Sequence, residues 1–181
     1  TNTGSTELVI DRNGVSPATS VLNFSGIDTI SVKDSVSPAL GGDALSVSGF
    51  TSGATIKFLD DGGGTTLTGT AVTGSSDSLN IILDNESSAT DTDITSIDVQ
   101  NIETLAINSS GKVSSSTTAQ NEIADLTGDA TTITVSGDTS LELDLTIDSP
   151  STGTRAVTVD ASSNTAWVNI GAEANTKLSY T

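Results

Sequence analysis

Apolar residues fall at every second position over short stretches of this chain, and polar residues fill the places between. Leu141, Leu143, Leu145 and Ile147 alternate with Glu142, Asp144 and Thr146. A period of two puts all four aliphatic side chains on one face of an extended strand and the acids on the other. The same alternation predicts strands at Leu8–Ile10, Val21–Phe24, Ile27–Val32, Leu45–Phe50, Ala54–Phe58, Leu79–Leu83 and Ile97–Val99. It continues at Leu105–Ile107, Ile133–Val135, Ala156–Val159 and Ala166–Ile170, with weaker strands around Leu67 and Val72 and a closing one at Leu178–Tyr180. Gly, Pro, Asn and Asp punctuate these runs at Arg12-Asn13-Gly14, Ser16-Pro17, Pro38–Gly42 and Pro150–Gly153. Three consecutive glycines in Asp60-Asp61-Gly62-Gly63-Gly64 predict an irregular turn. The one stretch with helical spacing is Asn121–Leu126, with Gly128 to stop it.

The stretch Leu22–Val32 matches Ile97–Ile107 without a gap. Leu22 meets Ile97, Phe24 meets Val99, Ile27 meets Ile102, Ile30 meets Leu105 and Val32 meets Ile107, while Asp28-Thr29 meets Glu103-Thr104. Val9-Ile10-Asp11 matches Ile82-Leu83-Asp84, and Leu45–Gly49 matches Ile133–Gly137 more weakly. The chain therefore divides into a first β repeat unit, 1–78, and a second, 79–181, in one continuous domain of a larger chain. Strand-and-turn units that recur with unequal insertions point to an all-β, β-solenoid-like stack of short strands. A β-sandwich is the alternative.

Composition narrows the function. Hydrophobic residues make up 34% and aromatics 3%, which suits a thin core of aliphatic rows rather than a bulky centre. The net charge is −17, and the six basic residues are scattered singly, so no patch exists for nucleic acid phosphates or an anionic membrane surface. No run approaches the roughly 18 apolar residues needed to insert in a bilayer. Without His or Cys, zinc, copper and iron sites lack their usual ligands, and a nucleophilic triad lacks its base. Paired carboxylates could serve glycoside hydrolysis, but the aromatic wall of a sugar groove is missing, so the chain reads as a non-enzyme. Absence of Cys also fits export by a bacterium.

Oxygen-rich loops leave Ca²⁺ as the candidate cofactor. Asp84 and Glu86 with Asp91 and Asp93 place carboxylates around one loop, and Asp60 and Asp61 stand beside the flexible glycines. Asp160 with Ser162 and Asn164 reads as a looser Asx turn. No EF-hand spacing and no Gly-Gly-x-Gly-x-Asp nonapeptide is present.

Phe24–Val32 and Val99–Ile107 resemble the "variable-acid-Thr-Leu" strand units of bacterial surface-layer (S-layer) proteins. Leu126–Ala130 followed by Ile133–Gly137, and Val159–Ser162, are similar to type I-secreted, RTX-associated chains of that kind. The resemblance spans roughly residues 20 to 165, by pattern more than identity. It implies a Ca²⁺-dependent, self-assembling lattice on the bacterial cell surface, in which copies of the chain are the main partner and a cell-surface polysaccharide is a second. A stalk or binding domain of a large secreted adhesin is the competing expectation.

Overall fold

The computed structural model describes residues 5–11, 20–23, 26–33, 45–60, 62–68, 76–86, 91–112, 120–146, 156–172 and 177–180. These residues contain strands and no helix, hence none long and apolar enough to cross a membrane. One sheet holds β1 (Glu7–Asp11), β3 (Thr29–Lys33), β5 (Ala54–Phe58), β7 (Ser78–Asn85), β9 (Thr104–Gly111), β11 (Thr132–Gly137), β13 (Ala156–Asn164) and β15 (Lys177–Tyr180) in that order. The other holds β2 (Ser20–Asn23), β4 (Leu45–Ser48), β6 (Gly62–Thr68), β8 (Asp93–Gln100), β10 (Asn121–Gly128), β12 (Leu141–Leu145) and β14 (Val168–Ala172).

Every strand pairs in parallel with the strand two further along the chain, and consecutive strands lie in different sheets. A chain that alternates sheets and always returns one strand spacing further on is a coil. The fold is a parallel β-solenoid, with one strand per sheet in each turn. Side-chain bonds report the same period: the Asp77 N–H to Glu103 bond spans 26 residues, and the Thr92 N–H to Asn121 bond spans 29.

The core follows from stacking. Ile30, Ile56, Ile81, Ile107 and Val135 are register partners on successive strands, all buried. Ala54, Leu79, Leu105, Ile133 and Val159 form a second buried row beside them. On the facing sheet, Ile94, Ile123 and Leu143 make a third row, which Ile170 extends. Small β-branched and aliphatic side chains suffice because each packs on its own kind one strand spacing, about 4.8 Å, away.

The corner from even to odd strands has its own rule. Gly26, Gly49 and Asn101 take positive φ, and each is followed by an apolar residue, Ile27, Phe50 or Ile102, that turns inward. Asn is the non-glycine residue that tolerates this conformation best. The match of Gly26-Ile27 with Asn101-Ile102 in the sequence is thus a repeated corner. The opposite corner is polar inside: Asn85, Thr92, Ser109 and Asn121 are buried there. Asn121 donates to Ser109 Oγ (3.0 Å) and to the Ser110 carbonyl (3.1 Å), and its Oδ1 accepts the Thr92 N–H (3.2 Å).

Three local expectations are corrected. Asn121–Leu126 is the body of β10, not a helical turn. Its Ile123 and Leu126 sit three apart because Ala124 and Asp125 bulge between them, where the register with β12 shifts. Gly62–Gly64 opens β6 rather than an irregular turn, held by pairing of Gly62 with Ile94 and Gly64 with Ser96. The weak likeness of Leu45–Gly49 to Ile133–Gly137 joins β4 to β11, which lie in different sheets, so it is no register repeat. Turns at 12–17, 38–42 and 150–153, and Val72, lie outside the described residues.

The outward faces differ. On the odd-strand sheet, Ser78, Thr104, Thr132 and Thr158 form one register column, and Thr55, Asn80, Ala106, Thr134 and Asp160 another. On the even-strand sheet, Asp93, Glu122, Glu142 and Asn169 are register partners on β8, β10, β12 and β14.

Candidate functional site

Of the carboxylates singled out from the sequence, Asp91 and Asp93 lie together, while Asp60, Asp84 and Glu86 are placed elsewhere. Asp60 follows β5, and Asp61 lies outside the described residues. Asp84 sits on β7 and forms an ion pair with Lys57 of β5 at 2.6 Å, tying neighbouring turns together. The Glu86 carbonyl accepts the Lys112 ammonium at 2.9 Å, and the Glu86 side chain is exposed. Asp91 and Asp93 flank buried Thr92 at the start of β8, where Asp91 Oδ2 accepts the Gln120 N–H at 3.4 Å. Alternation drives Thr92 inward and its acidic neighbours outward.

The structure adds two acids that sequence reading missed. Parallel register stacks Glu122 directly on Asp93 and Glu142 directly on Glu122. Strands about 4.8 Å apart hold three carboxylates in one outward file. Glu142 is bonded by the Gln120 amide and by Asn169 Nδ2 (3.3 Å), both neutral donors. Burial, then the nearby Asp91, lifts the Asp93 carboxyl above its ordinary range. Burial, then Asp93, Glu142 and Asp144 in that order, does the same to Glu122. Strands β8, β10, β12 and β14 carry six carboxylates and no Lys or Arg.

Among the described residues, no group of three or more His, Cys, Asp or Glu side chains is arranged to hold a metal ion. The acidic file is a field rather than a socket: its members stand side by side on successive strands. The Asp160 turn forms as expected. Its Oδ1 accepts the Ser162 N–H at 2.9 Å, and the Ser162 hydroxyl first, then that N–H, holds the carboxyl below its ordinary range. Asn164 repeats the motif, accepting the Ala166 N–H at 2.8 Å.

Glycines mark where turns touch. A Cβ on Gly128 would stand 1.8 Å from the Val99 carbonyl oxygen, and one on Gly137 would stand 1.9 Å from that of Ser109. Gly171 leaves room for the Asp144 carboxylate, which would otherwise meet a Cβ at 1.8 Å. Compared with known proteins, the chain matches no family model, and no curated protein or solved structure is significantly similar to it.

Proposed function

We propose that this chain is a structural module of an exported bacterial surface coat of the S-layer kind, assembling with copies of itself outside the cell. The observation that carries the reading is where the polar groups are spent. Lys57–Asp84 and Lys33–Asp11 join neighbouring turns, as do the bonds from Asn101 N–H to Asp129, Asn108 to Ser136 and Thr127 to Asp98. Such a chain resists deformation along its stack and presents long regular faces, which is what a coat needs from its subunits.

Calcium enters this reading as a counterion. At extracellular millimolar levels it would gather at the acidic file on β8, β10 and β12 and relieve repulsion between Asp93, Glu122 and Glu142. Electron microscopy of the protein with added Ca²⁺ tests the proposal: ordered sheets or filaments support it, and persistent monomers end it. An adhesin stalk is the second reading, favoured by the same regular stack. It predicts monomers that bind a foreign surface, including a cell-surface polysaccharide.

A further inference from the structure

Resting on the coat reading, we propose that the outer face of the odd-strand sheet is the contact surface between copies of this chain. In a protein of net charge −17, copies can approach only where like charges do not oppose. Strands β9 and β11, adjacent in the middle of that sheet, contain no charged residue. On the β7 side the nearest charges, Lys57 and Asp84, neutralise each other at 2.6 Å, and on the β13 side the nearest is Asp160, the register partner of Thr134, whose carboxylate is turned to the Ser162 N–H at 2.9 Å. The even-strand sheet, by contrast, carries six carboxylates and no Lys or Arg on its strands β8, β10, β12 and β14.

The central face is also chemically matched to itself. Thr132 and Thr134 are exposed on β11, beside half-buried Thr104, Ala106 and Asn108 on β9. Hydroxyl and amide rows recur at one strand spacing, so two such faces related by a two-fold axis present donors to acceptors and methyls to methyls. A shallow hollow between Asn80, Ala106 and Ser136, where Ala106 is the smallest side chain of its column, gives the face relief for a neighbour's side chain. A sugar chain is the poorer occupant. Among the described residues Phe50 and Phe58 are buried and Trp167 precedes β14, and β9 and β11 themselves contain no aromatic on which a sugar ring could stack.

Sedimentation velocity on the whole chain, with and without Ca²⁺, tests this. Wild type is expected to associate as concentration rises. Ala106→Arg and Thr132→Arg, whose register partners are uncharged, each lower the net negative charge, so general repulsion falls; a charge buried in the contact should still weaken association at least about tenfold. Glu122→Gln with Glu142→Gln, on the other face, should associate at least as well as wild type. Circular dichroism checks that each variant keeps its strands. If both arginine variants associate like wild type, copies meet elsewhere and the inference falls while the coat reading stands. If wild type stays monomeric throughout, both fall.

Discussion

At the scale of single residues, the fold is set by what each position allows one strand spacing away. Gly128, at φ 130, leaves no space for a Cβ against Val99, whereas Gly26, at φ 81, meets nothing within 4 Å. Gly26→Ala should therefore cost only its backbone strain, about 1 kcal/mol. Gly128→Ala must also push a backbone carbonyl aside and should cost about 3 kcal/mol or more. Urea denaturation of the two variants checks the ordering. Ile81 is buried between Ile56 and Ile107, so Ile81→Ala should lose about 3 kcal/mol in the same assay. Asn121→Ala would leave the Thr92 N–H and the Ser110 carbonyl without their partner inside the stack. A loss of about 2 kcal/mol is expected, although no apolar area disappears.

At the scale of elements, register decides which charges meet. Asp93 and Glu122 titrate above their ordinary range in the folded chain, so between the ordinary and raised values the folded state binds more protons than the unfolded. Their contribution to stability therefore grows as pH falls from neutral through the raised values, and levels off near the ordinary carboxylate value of about 4. Asp160 works in the opposite sense: its contribution is present above the ordinary value and is lost as pH falls through its lowered folded value. Glu122→Gln should raise the melting temperature at pH 7 and flatten the gain between pH 7 and 4; an unchanged melting profile would contradict the file of mutual repulsion. Such a file could not be read from the sequence, because Asp93, Glu122 and Glu142 are separated by connections of different length. What could be read was parity. Val9-Ile10-Asp11 and Ile82-Leu83-Asp84 fall in true register three turns apart, through β3 and β5. Leu22–Val32 and Ile97–Ile107 share a corner, yet in the odd-strand sheet Ile30 stacks in the row of Ile107, two residues beyond its sequence match Leu105. A shift of two keeps the same side inward, so fold class survived where register did not. Asn121–Leu126 misled because a bulged strand and a helical turn both place apolar residues three apart.

At the scale of the whole molecule, the stack is two-faced: one sheet carries hydroxyl and amide columns that are uncharged across β9 and β11, the other an acidic field. If Ca²⁺ quiets that field, chelation should lower the melting temperature, and Asp91→Asn or Asp93→Asn should shrink the difference between calcium and chelator. An identical melt in both conditions would remove calcium from the account. The central claim is that this chain is building material, and electron diffraction from the protein concentrated with millimolar Ca²⁺ tests it most directly. The account predicts ordered layers or filaments in which an oriented reflection near about 4.8 Å marks turns aligned across many copies. Isolated particles at every concentration, with no ordered array to diffract, would contradict it.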